Sequence, residues 1–157
     1  MKKISVLFVC LGNICRSPAA EAIFISLLEK KGLTDGFIVD SAGTGSWHIG
    51  KKADSRRRIA AETRDINILS RARQITSKDF DKFEYILAMD DSNFRNIQDL
   101  KNTTSSTDFA SIKKIQNFRS VFNDKEVPEP YFGGDEGFDH VLDILEDSVS
   151  GFLESIS

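Results

Sequence analysis

The sequence predicts an α/β fold, a four-stranded parallel sheet with helices on both faces. Three observations carry this. Short β-branched apolar runs recur along the chain, and stretches with helical periodicity separate them. The first run, Ile4 to Val9, is nearly all apolar, as suits a strand covered on both faces. The C-terminal stretch carries one unbroken apolar stripe at helical spacing. The 157 residues are 40% hydrophobic and 29% charged, which suits a single domain over 1–157 with one real core.

The elements follow in order. Ile4 to Val9 forms the first strand. Ser17-Pro18 then opens a helix, with Ser as cap and Pro at the first helical position. Ile23, Phe24, Leu27 and Leu28 share its buried face, and Gly32 ends it. Phe37 to Asp40 is the second strand. A loop with Gly43, Gly45 and Gly50 around Trp47 and His48 follows. Asp54 caps a helix running to about Arg64. Tyr85 to Met89 is the third strand, and Asp91 to Leu100 a helix with Phe94, Ile97 and Leu100 inward. Lys101 to Thr107 reads as a polar loop and Lys114 to Phe118 as a weaker fourth strand. In the last helix Phe138, Val141, Leu142, Leu145, Val149, Phe152 and Leu153 make the stripe.

Composition excludes several classes. No run of about 18 apolar residues exists, so no membrane span is expected. With 21 Lys+Arg against 24 Asp+Glu and no long basic run, nucleic-acid binding is not expected. Two cysteines make no disulfide scaffold, which points to a reducing, cytoplasmic setting. Met1-Lys2-Lys3 before an apolar run faintly resembles a signal peptide. The run is short and leads into Gly12-Asn13 without a small-residue cleavage site, so it reads as a buried strand. His48 and His140 have no metal-ligand company; no metal and no cofactor are expected.

In parallel sheets ligands bind beyond the carboxyl ends of the strands. The turn after the first strand reads Cys10-Leu11-Gly12-Asn13-Ile14-Cys15-Arg16-Ser17. Gly12 and Asn13 tolerate left-handed backbone angles, so successive N–H groups can face one hollow at a helix N-terminus, a cradle for phosphate. A thiol there, beside a guanidinium, is expected to ionise readily. Arg16 supplies a planar fork for two phosphate oxygens. Ser17 can donate to the Cys10 sulfur. Nucleophile, anion cradle and clamp thus fall within eight residues, making a phosphate loop after the first strand.

Val9 through Pro18 resembles the phosphate loop of the low-molecular-weight protein tyrosine phosphatases. Asp40-Ser41-Ala42-Gly43, Trp47, Asp54 with Arg56, Ala72-Arg73-Gln74, Ala88-Met89-Asp90 and Pro130-Tyr131 fall in the family's order, so the resemblance spans the chain. It implies a metal-free protein tyrosine phosphatase. Cys10 attacks phosphorus to form a cysteinyl-phosphate, Arg16 and the N–H groups of residues 11 to 17 bind the phosphate oxygens, and water completes hydrolysis. It also implies that Ser41 holds a strained Asn13, that Trp47, Tyr131 and Phe132 wall a phosphotyrosine pocket, and that Asp90 orients Arg16. Substrates would be phosphotyrosine proteins, tyrosine kinases among them, acted on by a monomer. Cys15 corresponds to a neighbour that forms a reversible disulfide with the nucleophile in the family.

Three departures stand out. The family's general acid is an aspartate before Pro-Tyr; here it is Glu129, one methylene longer, between Pro128 and Pro130. Those prolines keep Glu129 extended and stop the loop retreating, so its acid chemistry is expected to be slowed. Phe132 replaces a frequent second tyrosine, and Ser70 stands where the family often has histidine. Arg56-Arg57-Arg58 reads as a solvated helix face. Two other functions share these residues: a phosphotyrosine-binding module with weak turnover, and an arsenate reductase. The second is disfavoured in its thioredoxin-coupled form, because no cysteine follows position 15.

Overall fold

The chain is described here by a computed structural model covering residues 2–104, 108–128 and 134–156, with side chains for all but 134–136. Four strands, β1 (Ile4–Cys10), β2 (Phe37–Gly43), β3 (Tyr85–Ala88) and β4 (Ser111–Lys114), form one sheet in the order β2-β1-β3-β4. Every neighbouring pair is parallel. The helices are α1 (Arg16–Lys31), α2 (Ser55–Glu62), the single turn α3 (Asp79–Lys82), α4 (Asp91–Asn102) and α5 (Gly134–Ile156).

Strand alternation divides β1 between two cores. Val6, Phe8 and Cys10 join the larger cluster, built mainly with α1 and α5. Leu7 and Val9 join the smaller one, with Phe80, Phe83 and Ile97 of the other face. The sheet is therefore covered on both sides, as the apolar run at Ile4 to Val9 implied. The C-terminal stripe is buried throughout, and Phe152 meets the rings of Phe24, Tyr85 and Phe118 at 5.9, 5.3 and 5.2 Å. Gly32 ends α1 with φ 68°. No helix among the described residues is long and apolar enough to cross a membrane.

Several boundaries differ from the sequence reading. Cys15, not Ser17, precedes α1, because the Ser17 hydroxyl is turned to Cys10 instead of capping. β2 runs on through Ser41-Ala42-Gly43, which pair with Phe8, Val9 and Cys10 at the sheet's centre despite their loop-like composition. The third strand ends at Ala88, α2 ends at Glu62, and α4 extends to Asn102. β4 lies earlier than expected, and Ile115–Phe118 is a 3-10 turn. Its three-residue period brings Ile115 and Phe118 to one face, so they still reach the core.

Candidate active site

Cys10 ends the central strand, 3% exposed, where the carboxyl ends of the parallel strands gather. The loop after it turns its carbonyls outward. Thr44 N–H donates to Cys10 O and Gly45 N–H to Leu11 O, both at 2.9 Å, and Asp54 N–H donates to Ile14 O at 2.7 Å. Carbonyls so engaged leave the loop's N–H groups facing the opposite side, the geometry of an anion nest. Asn13 makes the turn, with φ 55°. Gly43 allows the close approach: a Cβ there would lie 2.7 Å from Leu11 O. Of the loop residues singled out in the sequence, Leu11 stands at the rim, Gly12, Ile14 and Cys15 are half-buried, and Asn13, Arg16 and Ser17 are buried.

The hydrogen bonds around Asn13 have a determined direction. Its Oδ1 accepts from Arg73 N–H (3.0 Å), so Nδ2 is the donor, to Ser17 Oγ (2.8 Å) and Ser41 Oγ (3.0 Å). Ser41 in turn donates to Glu21 Oε1 (2.5 Å). Ser17 Oγ accepts from Asn13 and has two acceptors open to its own proton, Cys10 Sγ at 3.0 Å and, farther off, Ala42 O at 3.4 Å. Asn13 N–H reaches the same sulfur at 3.3 Å. Asn13 N–H and the Ser17 hydroxyl thus both lie within hydrogen-bond reach of Cys10 Sγ.

Arg16 is 2% exposed and is aimed by two acceptors on one nitrogen. Nη1 donates to Asp90 Oδ2 (2.7 Å) and to Val127 O (2.9 Å). Asp90 does two jobs: its other oxygen accepts from Asn93 N–H (2.7 Å) and caps α4. The resemblance implied the contact with Arg16, and the side chain caps α4 as well.

Trp47 is 68% exposed and its ring lies on Gly45, where a Cβ would sit 1.9 Å from Cζ3. Leu11, Thr44, Gly45, Gln74 and Ile75 line a groove with it. Glu129, Tyr131 and Phe132 lie outside the described residues. Val127, two residues before Glu129, is anchored on both sides: its N–H donates to Met89 O (2.9 Å) and its carbonyl accepts from Arg16. His48, assigned no role from sequence, packs against Gly12, whose Cβ would lie 3.0 Å from His48 Cδ2.

Two residues at the site escaped the sequence reading. Glu21 sits beneath the loop. Burial pushes its carboxyl above the ordinary range, the Ser41 hydroxyl opposes this, the Asp40 charge adds to it, and Ser70 and Arg73 oppose it. The Ser70 hydroxyl thus reaches Glu21 where a histidine was the family expectation. Arg57 is not solvated as its place in Arg56-Arg57-Arg58 suggested, but fully buried against the loop. Helical periodicity could have hinted at the second, since Arg57 and Ala61 share a face.

The chain matches the family model for low molecular weight phosphotyrosine protein phosphatase over residues 5–157. The low molecular weight phosphotyrosine protein phosphatase of Schizosaccharomyces pombe is 43% identical over 157 residues, covering 99% of each chain. The protein tyrosine phosphatase of Entamoeba histolytica, crystallised with Hepes in its active site, superposes with a TM-score of 0.92 at 42% identity, over 98% of this chain and 97% of that one. The Drosophila arginine phosphatase superposes with a TM-score of 0.91 at 33% identity, over 100% and 98%.

Proposed function

The chain belongs to the low molecular weight phosphotyrosine protein phosphatase family, and from that premise we propose that it hydrolyses phosphotyrosine in protein substrates through a cysteinyl-phosphate on Cys10. The observation that carries this reading is the convergence of Asn13 N–H and the Ser17 hydroxyl on Cys10 Sγ. A sulfur so held is an acceptor ready to attack phosphorus in line.

The step proceeds as follows. Cys10 Sγ forms the S–P bond as the aryl P–O bond breaks, and the leaving phenolate takes a proton from Glu129. Arg16 and the loop N–H groups hold the equatorial oxygens as charge redistributes over them. Water then attacks phosphorus, Glu129 takes its proton, and the S–P bond breaks to release inorganic phosphate. The anchoring of Val127 supports Glu129 in this role. Val127, two positions earlier in the sequence, is fixed through its carbonyl to Arg16. Trp47, Tyr131 and Phe132 form the aromatic slot, which favours aryl phosphates. Ser41 and Asp90 position Asn13 and Arg16 from behind. The enzyme works in the cytoplasm as a monomer, on phosphotyrosine proteins that include tyrosine kinases.

The test is kcat/KM on a phosphotyrosine peptide in EDTA, for the parent, Cys10→Ser and Glu129→Asp. Turnover by the parent that is lost in Cys10→Ser supports the reading. Glu129→Asp is expected to raise turnover of the peptide, more than that of p-nitrophenyl phosphate, because general acid help is worth roughly 10²–10⁴ and poor leaving groups need it most. An Asp variant no faster than the parent rejects a slowed acid. Peptide binding without turnover indicates a phosphotyrosine reader instead, and arsenate-dependent oxidation of an external thiol a reductase. Phosphoarginine serves as the control substrate, given the Drosophila neighbour.

A further inference from the structure

Arg57 has the largest side chain among those fully buried, at 0% exposure. Its surroundings are unlike those of Arg16, the other buried arginine, and of the partly exposed Arg64 and Arg73. Arg16 has Asp90, Arg64 has Asp143 and Glu146, and Arg73 has Asp40 and Asp79. Arg57 meets no carboxylate among the described residues. Its Nε and Nη2 donate to Cys15 Sγ at 3.4 and 3.2 Å, and Nη1 donates to the Phe138 carbonyl. The guanidinium lies 4.7 Å from the centre of the Phe138 ring. Burial pushes the Cys15 thiol upward, with Arg57 opposing it, so the sulfur does not neutralise the cation at ordinary pH.

A guanidinium stays charged at any working pH, and burying it with no carboxylate partner among the described residues is costly. Such a cation persists where an anion arrives to balance it. Arg57 is linked to the phosphate loop at two points: Cys15, which it holds, is the last loop position before Arg16, and Asp54 N–H ties the start of α2 to Ile14 O. We propose that Arg57 is a positioning residue and the second cation of the phosphate loop. It holds Cys15 from behind and supplies a fixed positive charge that strengthens binding of tetrahedral oxyanions. This rests on the reading of residues 10–17 as a phosphate loop.

The experiment measures inhibition by inorganic phosphate and by vanadate, with thermal unfolding alongside, for the parent, Arg57→Lys, Arg57→Gln and Arg16→Ala. Removing a nearby, poorly screened charge is expected to weaken both oxyanions about tenfold in Arg57→Gln. Arg57→Lys, which keeps the charge, is expected to stay within about threefold of the parent. Equal oxyanion affinity in parent and Gln variant, with only a lowered Tm, overturns the proposal and leaves Arg57 as a brace between α2 and α5. Equal weakening in Lys and Gln overturns it as well, since geometry and not charge would then decide. If the Gln variant does not fold, Arg57→Met with the same Lys comparison decides between the same outcomes. The Arg16→Ala arm separates the two readings: oxyanion inhibition that survives it places the anion elsewhere and rejects the phosphate loop itself.

Discussion

Asp90 is the residue at which two separate demands meet. One oxygen caps α4 and the other aims Arg16. Asp90→Asn retains a good capping side chain but loses the charge, so Tm should change little. Misplacing Arg16 should lower kcat/KM on the order of tenfold to a hundredfold; an unchanged kcat/KM would show that Arg16 keeps its aim without the Asp90 charge. Glu21 predicts a pH effect of definite sign. Its folded carboxyl ionises above its ordinary value. The proton it holds therefore stabilises the fold fully below the ordinary carboxylate range, and that stability is lost as pH rises through the raised value. Glu21→Gln keeps an oxygen for Ser41 and removes the titration. Its unfolding midpoint should vary less than the parent's between about pH 4 and pH 8, and exceed it at the upper end. Parallel curves would show that Glu21 ionises normally. The loop's residue types were legible because Cys, Gly, Asn, Arg and Ser in that order have one chemistry. The direction of the hydrogen bonds was not, because it depends on Arg73 N–H arriving from a segment sixty residues away.

At the level of elements, the parallel arrangement and the last helix were legible from apolar periodicity, which burial then enforces. The strand ends were not. Ser41-Ala42-Gly43 has little strand propensity, yet it pairs with β1 because a central strand needs partners on both sides. That pairing sets Gly43 opposite Cys10 and close beneath Leu11 O. Gly43→Ala should therefore push the phosphate loop aside. A fall in kcat/KM on the order of a hundredfold is expected, with β1 and β2 still paired; full activity would mean that the loop yields at no cost. Ile115–Phe118 shows the reverse limit. Apolar spacing correctly signalled burial there, but a 3-10 turn and a strand can both bury such a segment, so the conformation was not decided by the pattern.

For the whole molecule, the two cores on either side of β1 leave the chemistry at one end of the sheet, with Cys10 and Gly43 ending β1 and β2 and Asp90 two residues past the end of β3. The structure divides its aromatic residues by the same logic. Most of the described phenylalanines belong to the two cores, while the one tryptophan in the sequence, Trp47, lies outside both clusters, on Gly45 at the rim of the cleft. This gives the protein an optical signature. The indole is already in water, so its emission in the folded state should be red-shifted and should move little when urea unfolds the chain. A phosphotyrosine analogue seated in the cleft should cover the ring and alter its intensity or wavelength. Tryptophan fluorescence would thus report occupancy rather than folding, and a large blue-to-red shift on unfolding would show that the ring is sheltered in solution.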